Sequence, residues 1–390
     1  MLTPTAFGGA EKVGLQILRS IDRKRFNVIP ITLIRPWEAH NAFIDSARAA
    51  GYQCHAIPVA LKPRNQGHDI FRVVRCLTRC RALLKCLRIN LVHTNGYFAD
   101  LIGIPAARSL KLRSIATCHG FIEGDRKLRL YNLADKKILR FADRTAAVSA
   151  NIRDALIASG VSSKRIEVIA NAVEMQPEDE KISEGRAILR KRFHIRDQDI
   201  VLGYAGRMSE EKGLLYLIEA AGVLLKGGIP VKLLMVGDGP QRGVLEKAAV
   251  KIGIQSEVIF TGFQLQAETF LKAMDIFVLP SLTEGTPMAM LEAMSGGVPV
   301  IASAVGGVPD IICSDQNGIL VEPARPQQIV QAVKVLHRNR IRSQAIINEA
   351  RRTIEERFSI IAWIKRYEAL YSSLLPWKAE RSRHAFCSPE

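Results

Sequence analysis

Residues 281–307 read SLTEGTPMAMLEAMSGGVPVIASAVGG, and they run from the end of one apolar segment through a polar turn and a short helix into a second. The apolar segments are Ile276–Leu279 and Val298–Ala302, both with the length and composition of buried strands. A helix is predicted from about Pro287 to Met294, because the missing N–H of proline costs nothing in a first helical turn. This order of strand, turn, helix and strand predicts a parallel α/β sheet.

Two glutamates lie in this segment, one before the helix and one on it, with seven residues between them. Glu284 falls in the turn beside the free N–H groups of the helix start, and Glu292 lies roughly two turns along the helix. A carboxylate suits sugar or ribose diols, while a helix N-terminus suits phosphate. The alternative is an ordinary strand–turn–helix with solvated glutamates. It is weakened because the other helix residues are small and apolar, so a carboxylate among them needs a partner.

The same alternation of short apolar runs and longer helical stretches extends over the whole chain. It predicts two Rossmann-like, doubly wound parallel-sheet domains, residues 1–174 and 185–357, which face each other across a cleft. The polar residues 175–184, with Pro177 among them, are the predicted linker, and residues 358–377 are predicted to contain an amphipathic helix. The other predicted strands are Val28–Leu33, Leu91–His93, Ser114–Cys118, Arg144–Val148, Ile200–Ala205, Lys232–Val236 and Val258–Thr261.

The chain has few residues before its first glycine-rich turn, GGAE at Gly8–Glu11. A buried strand normally needs about five or six residues, and only Met1–Thr3 are placed to form one here. Either this strand is unusually short or the start of the chain is placed too late. We expect a protein extended upstream to be more stable, and equal thermal midpoints of the two forms would contradict this.

The composition is that of a folded globular protein, with 48% hydrophobic and 24% charged residues. No apolar run is long enough to predict a transmembrane helix, and no basic-then-apolar leader opens the sequence. The cysteines lack the paired spacing of metal sites and predict reduced thiols in the cytoplasm. They are Cys54, Cys76, Cys80, Cys86, Cys118, Cys313 and Cys387.

Positive charge is concentrated in the first half of the chain. Residues 1–170 hold 28 Lys and Arg against 12 Asp and Glu, whereas the remaining residues hold 27 against 26. Much of this charge falls in two predicted basic helices, Arg72–Arg88 and Arg126–Arg140. Such helices bind anionic lipid at about 1 kcal/mol per basic residue, so an anionic membrane surface is the predicted partner. A solubilising surface is the alternative, and nucleic acid is not expected because stacking aromatics are sparse.

Motifs in the same order along nearly the whole chain resemble those of the family 4 (group 1) retaining glycosyltransferases, which have the GT-B fold. EGTPMAMLEAM, followed by GVPVIAS and VGGVPDII, is similar to the C-terminal signature of that family. Ala172 departs from the pattern, since it replaces a glycine that would tolerate positive φ, and the turn there is expected to differ. The other matching segments are GGAE at Gly8–Glu11, HG at His119–Gly120, AVSANI at Ala147–Ile152, IEVIANAVE at Ile166–Glu174, YAGRMSEEKG at Tyr204–Gly213 and VGDGP at Val236–Pro240.

The resemblance assigns the two glutamates of residues 281–307 to different parts of a nucleotide-sugar donor. It implies that Glu284 holds hydroxyls of the transferred sugar, which N–H groups near Gly285, Thr286 and Pro287 also contact. Glu292 would take the ribose hydroxyls of the nucleotide. Neither glutamate is therefore expected to act as one of a catalytic acid pair of glycosidase type.

The resemblance also implies residues for the diphosphate and the reacting centre. Arg207 and Lys212 would neutralise the diphosphate as it leaves, so no metal and no other cofactor is expected. Gly8 and Gly9 would let the backbone approach the diphosphate, and His119 would sit beside the sugar. The alternatives are two exposed basic residues beside acidic neighbours, and a histidine that caps a helix or lies on the surface.

The implied activity is transfer of a hexose or N-acetylhexosamine, with retention, from a UDP- or GDP-sugar to a lipid-linked or membrane-surface glycan. Synthesis of envelope polysaccharide, lipopolysaccharide or exopolysaccharide at the inner face of the cytoplasmic membrane is the expected setting. The resemblance implies that the enzyme supplies no nucleophile, because the leaving phosphate itself accepts the proton. It also implies a C-terminal helix that crosses back to the first domain. The alternatives are a sugar-nucleotide epimerase or hydrolase, which would need an acid pair in the cleft, and a catalytically silent binding subunit.

Overall fold

The computed structural model describes residues 1–3, 8–35, 41–59, 69–121, 126–176 and 180–375. Three parts of the sequence-based predictions fall outside these ranges, namely residues 177–179 of the linker, residues 376–377 and Cys387. The side chains of Arg126, Lys127 and Arg129 are also outside the description.

The N-terminal half alternates strands and helices, and its paired strands run parallel. One group of neighbouring strands has the order β3-β4-β5-β6, and β1 pairs with β2. The strands are Ile31–Ile34 (β1), His55–Pro58 (β2), Leu91–Asn95 (β3), Arg113–Cys118 (β4), Arg144–Ala147 (β5) and Ile166–Val168 (β6). The helices are Gly9–Ser20 (α1), Ala42–Ala49 (α2), Asp69–Cys86 (α3), Tyr97–Ser109 (α4), Arg126–Leu139 (α5) and Ala150–Ala158 (α6).

Leu2 joins these two groups of strands. Its N–H donates to Ile31 O at 3.1 Å, and its carbonyl accepts from Leu33 N–H at 3.0 Å. On the other side, Asn95 N–H donates to Met1 O at 2.9 Å. Leu2 is buried and forms parallel bridges to Thr32 and Asn95, so a few residues complete the sheet between β1 and β3.

The C-terminal half contains a second parallel sheet, with strand order β12-β11-β10-β7-β8-β9. Its central strand β7 is buried along its full length, as expected of a parallel sheet with both faces covered. The strands are Ile200–Ala205 (β7), Val231–Val236 (β8), Val258–Gly262 (β9), Ile276–Leu279 (β10), Val300–Ser303 (β11) and Ile319–Val321 (β12). The helices are Glu180–Arg192 (α7), Leu214–Lys226 (α8), Arg242–Ile252 (α9), Glu268–Leu271 (α10), Met288–Ser295 (α11), Pro326–Arg338 (α12), Arg340–Arg357 (α13) and Ile360–Leu374 (α14).

The structure confirms two Rossmann-like domains with parallel sheets, and it differs from the sequence-based prediction within the linker. Residues 180–184 of the predicted linker belong to α7. This helix is held on the C-terminal half, since Arg186 and Arg190 both bind Asp275, at 2.5 and 3.2 Å. Helix α7 therefore packs with the second domain, and the first connection between the two domains lies before it.

The chain returns to the N-terminal half at its end. Val173 pairs with Ser359 just before α14, and α14 then packs against α1. Tyr371 of α14 hydrogen-bonds His93 of β3 at 2.8 Å, and Glu368 accepts from the Asp22 N–H at 2.9 Å. Within the described ranges, no helix combines the length and the apolar character needed to cross a membrane.

Candidate active site

The turn between β10 and α11 lies where the strand ends of the two halves meet. The Thr286 hydroxyl donates to the carbonyl of Val148, which follows β5. The Asn171 amide, beyond β6, donates to Thr286 O at 2.8 Å. Ala172, next to it, is buried with a φ outside the positive region, so the alanine at this departure from the family pattern is accommodated.

Gly285 brings this turn against the N-terminal half at backbone distance. A Cβ built at Gly285 would lie 2.7 Å from the carbonyl oxygen of His119 and 3.0 Å from the Val148 side chain. Any larger residue would push the two halves apart. The glycine thus sets how closely the turn approaches His119, at the end of β4.

A second glycine pair supports the turn from behind. A Cβ at Gly306 would lie 1.8 Å from Glu284 O, and one at Gly307 would lie 2.3 Å from Gly285 O. Gly307 N–H also donates to Glu284 O at 3.3 Å. The VGG sequence after β11 is therefore required by close packing on residues 284 and 285.

Glu284 is held by two donors on one carboxylate oxygen. Lys212 Nζ lies 2.8 Å from Glu284 Oε1, and Ser281 Oγ lies 2.7 Å from the same atom. The Glu284 side chain is 7% exposed, so the neighbouring ammonium compensates a carboxylate that has lost most of its water. The arrangement fixes the Glu284 side chain next to a cation at the end of β7.

Arg207 pairs with a different glutamate. Its guanidinium lies 2.5 Å from Glu211 Oε1, which also accepts from Ser209 Oγ at 2.6 Å. Burial alone would raise the pKa of Glu211, but hydrogen bonds from Ser209 and Arg207 outweigh it and lower that pKa. The Arg207 side chain is 49% exposed, so water screens its attraction to Glu211.

The starts of two helices, α1 and α11, lie close to each other. Gly8 precedes α1 and Pro287 precedes α11, and neither has a side chain that caps its helix, although the Gly8 N–H donates to the Glu11 carboxylate at 3.0 Å. The two starts come close, because a Cβ at Gly9 would lie 3.9 Å from Met288 Cγ. First-turn N–H groups and helix dipoles favour an anion between them.

We expect Gly9→Ala to leave the thermal midpoint nearly unchanged while weakening nucleoside diphosphate binding about tenfold or more. Among the described residues, Met288 is the only one with an atom within 4 Å of the added methyl group, at an ordinary contact distance. Protein packing therefore tolerates a side chain at this position, and a ligand close to the backbone would not. Thermal unfolding and titration calorimetry check the two halves of this prediction. Unchanged binding would show that no ligand approaches Gly9.

Glu292 is bound from across the cleft by Lys12 of α1, a residue that sequence reasoning did not select. Lys12 Nζ lies 2.5 Å from Glu292 Oε1 and 3.6 Å from Glu268 Oε2. Both glutamates belong to the C-terminal half, on α11 and α10. The sequence offered only GGAEK as a signal, in which the lysine stands one turn after the glycines.

His119 is positioned by a buried asparagine. His119 Nε2 lies 3.4 Å from Asn95 Oδ1, at the end of β3. Burial lowers the pKa of His119 to about 4, so the ring is neutral at pH 7. A neutral ring with Nε2–H directed at Asn95 offers Nδ1 as an acceptor.

Two buried carboxyl groups of the N-terminal half, Asp100 on α4 and Asp135 on α5, form a pair. Asp100 and Asp135 interact through a hydrogen bond, and Asp100 also accepts from the Thr94 hydroxyl. Burial raises the pKa of Asp135 to about 7, and burial together with the Asp135 charge raises that of Asp100. At neutral pH the pair holds a proton that the unfolded chain would have released.

We expect Asp135→Asn to raise the thermal midpoint by a few degrees at pH 8 and to change it little at pH 5. Each carboxyl has a folded-state pKa above its unfolded value, so its contribution to stability is present at low pH. That contribution is lost as the pH rises from about 4, the unfolded value, to about 7, the value of Asp135. Thermal unfolding of both proteins across this range provides the check. Parallel pH profiles would be inconsistent with a raised pKa at Asp135.

The predicted site residues fall into three contacting groups. Glu284 meets Lys212, Gly285 meets His119, and Gly9 meets the start of α11 after Pro287. Arg207 is paired with Glu211, and Glu292 with Lys12. The partners that sequence reasoning missed are Lys12, Asn95, Asn171, Glu211 and Ser281.

Two Rossmann-like domains that meet at their strand ends define the GT-B class of fold. Solved structures agree, since the Anabaena protein HepE in complex with UDP and glucose has a TM-score of 0.80 at 20% identity. That match covers 96% of this chain and 99% of HepE. The sucrose-phosphate synthase of Thermosynechococcus elongatus has a TM-score of 0.77 at 21% identity, covering 96% and 98%.

Sequence relatives give the family. The family model described as "Glycosyltransferase Family 4" matches residues 7–176, and the model described as "Glycosyl transferases group 1" matches residues 185–353. An Escherichia coli galactosyltransferase that uses UDP-Gal and GlcNAc-diphosphoundecaprenol is 26% identical, over 79% of this chain and 81% of its own length. The 2-deoxystreptamine glucosyltransferase of Streptomyces kanamyceticus is 28% identical, over 66% and 70%. The chain belongs to the group 1 glycosyltransferases of family 4, which confirms the resemblance.

Proposed function

We propose that the protein transfers a hexose or N-acetylhexosamine from a UDP- or GDP-sugar to a glycan acceptor, with retention at the anomeric carbon. The observation that carries this proposal is the contact of Lys212 with Glu284 in a turn pressed against His119. It places one cation, one carboxylate and one neutral imidazole where the strand ends of the two domains meet. This combination suits a sugar joined to a diphosphate.

The diphosphate is assigned to the basic side of this site. Lys212, Arg207 and the first N–H groups of α1 and α11 would stabilise the negative charge that develops as the glycosidic bond breaks. Because these groups supply the positive charge, we propose that transfer is independent of metal ions. Excess EDTA is expected to leave the transfer rate unchanged, whereas a loss restored by Mg²⁺ would argue for a bound cation.

Glu284 and His119 are assigned to the sugar. Glu284 Oε1 already accepts from two donors, which lowers its nucleophilicity and favours a role in holding hydroxyls over attack on the anomeric carbon. His119 is neutral and offers hydrogen bonds rather than a proton. The acceptor then attacks on the face that the diphosphate leaves, and a phosphate oxygen takes the proton. An α-configured product from an α-configured donor, observed by NMR, is expected, and inversion would contradict this assignment.

The donor nucleotide is open to direct measurement by thermal shift. HepE was solved with UDP and glucose, and the Escherichia coli relative uses UDP-Gal, which favours a uridine nucleotide over GDP. A ligand at 100 times its dissociation constant stabilises a protein by about 2.7 kcal/mol. UDP or GDP is expected to raise the thermal midpoint, and no response to either would contradict the proposal.

For the acceptor, we propose a lipid-linked or membrane-surface glycan of envelope polysaccharide synthesis, reached from the cytoplasmic side. The Escherichia coli relative acts on a diphosphoundecaprenol acceptor. In this chain, Arg75, Arg79, Arg81 and Lys85 are exposed on α3. Phe71, at the start of the same helix, is 71% exposed. Basic residues beside an exposed aromatic side chain suit an anionic membrane surface.

Liposome flotation tests this membrane partner. The protein is expected to float with vesicles that contain anionic lipid and to remain at the bottom with neutral vesicles. Equal behaviour with both kinds would contradict it. Nucleic acid stays outside the proposal, because the basic face of α3 lacks an array of stacking aromatics in its described part.

The alternatives require features that the site does not supply within its described residues. An epimerase or hydrolase would need an acid pair in the cleft, yet Glu284 in the turn and Glu292 on α11 are each bound by a different lysine. A silent binding subunit is disfavoured because Arg207, Lys212, Glu284 and Glu292 are all present. Transfer from a radiolabelled donor separates these possibilities.

A further inference from the structure

Lys12 of the N-terminal half contacts Glu292, the residue to which the nucleotide ribose is assigned. It lies in the first turns of α1, and its ammonium is 2.5 Å from Glu292 Oε1 on α11. The side chains of Lys12 and Glu292 are 20% and 12% exposed. An ion pair with so little water around it constrains both side chains more than a surface pair would.

Glu268 makes the same ammonium necessary for a second reason. Its Oε2 lies 3.6 Å from Lys12 Nζ, and it has no hydrogen-bond partner among the described residues although the atom is buried. Without Lys12, the carboxylates of Glu268 and Glu292 would share this corner with no cation between them. Their mutual repulsion would turn Glu292 away from its present position.

We propose that Lys12 is a positioning residue for the donor nucleotide, holding Glu292 from the opposite domain so that it can bind the ribose hydroxyls. The inference rests on the proposed function, in which Glu292 receives the ribose. The ammonium holds Oε1, and Oε2 is left to accept from a ribose hydroxyl. The nucleotide is therefore recognised correctly only when α1 and α11 stand at their present separation.

This role differs from that of an ion pair that only holds α1 in place. Arg25, just after α1, also binds across to the C-terminal part of the chain, with Arg25 NH1 at 3.3 Å from Glu368 Oε2 on α14. That pair lies away from Glu292, in the contact between α1 and α14. Arg25→Met is thus a control that removes another ion pair close to α1, made with the C-terminal helix that packs on the N-terminal half, without touching Glu292.

The experiment compares binding of UDP and GDP with binding of their 2′-deoxy analogues to the full-length protein. Wild type is expected to prefer the ribonucleotide by about tenfold, the worth of one hydrogen bond to a charged group. Lys12→Met is expected to weaken ribonucleotide binding about tenfold or more and to reduce the preference to about twofold. Lys12→Arg, which keeps the charge, is expected to retain a preference, and Arg25→Met is expected to match wild type.

Two outcomes would overturn the inference while leaving the proposed function intact. One is a Lys12→Met protein that binds ribonucleotides with wild-type affinity and an unchanged 2′-hydroxyl preference. The other is an equal loss in Lys12→Met and Arg25→Met, which would show that Lys12 only supports the packing of α1. Failure of wild type to bind either UDP or GDP would instead contradict the proposed function.

Discussion

Replacing Lys212 with methionine is expected to lower the rate of sugar transfer by about 10²–10³-fold, the usual cost of losing one fixed charge-stabilising donor. In the proposed reaction Lys212 meets the diphosphate at the moment of departure, so the loss appears in kcat. The same change leaves Glu284 without its cation. Because that side chain is 7% exposed, an unpaired carboxylate there also lowers stability.

Initial-rate measurements with a radiolabelled donor check this expectation, with unfolding monitored in parallel. Lys226→Met is the matched control, since Lys226 lies in the last turn of α8, the helix that begins just after Lys212. Lys212→Met/Glu284→Gln removes the stranded charge and is expected to recover stability without recovering the rate. Transfer at the wild-type rate in Lys212→Met would remove Lys212 from the active site.

Gly306→Ala is expected to abolish measurable transfer and to lower the thermal midpoint by several degrees. The added Cβ would lie 1.8 Å from Glu284 O, so the turn that carries Glu284 and Gly285 must move. Gly306 also has a φ of +57°, a conformation that costs a residue with a side chain about 1–2 kcal/mol. Both effects act on the turn that carries Glu284, which we propose binds the sugar.

Two control variants separate these causes. Gly228 has a φ of +77°, and no described residue comes within 4 Å of a Cβ added there, so Gly228→Ala measures the backbone cost alone. Gly243, in α9, has open space around it in the described structure, and Gly243→Ala is expected to be neutral or stabilising. If Gly306→Ala behaved like Gly228→Ala and kept its activity, close packing at Glu284 would not be needed.

The parts of the fold that the sequence predicted well are those with long buried runs. The central strands β7, β8 and β10 appeared at their predicted positions because burial on both faces requires continuous apolar residues. The strands that were missed, β2, β6 and β12, are three or four residues long and lie at the ends of their sheets. β2 and β6 are only partly buried and carry no such run, while the apolar run of β12 is only three residues long, so none of the three stands out as a strand in the sequence.

In the site, the sequence predicted residue types better than partners. The spacing of Glu284 and Glu292 placed one in the turn and the other on the helix, as the structure has them. It could not show that Lys12, some 280 positions away, binds Glu292, because that contact depends on how two domains face each other. For the same reason the steric need for Gly306 became visible only in three dimensions.

The most direct test of the donor site is a crystal structure of the protein with bound UDP or GDP. The predicted result places the diphosphate within hydrogen-bond distance of Lys212 and the start of α11, and the ribose hydroxyls on Glu292. A nucleotide bound elsewhere, or bound here with its ribose away from Glu292, would contradict the assignment of residues 281–307 as the donor-binding segment.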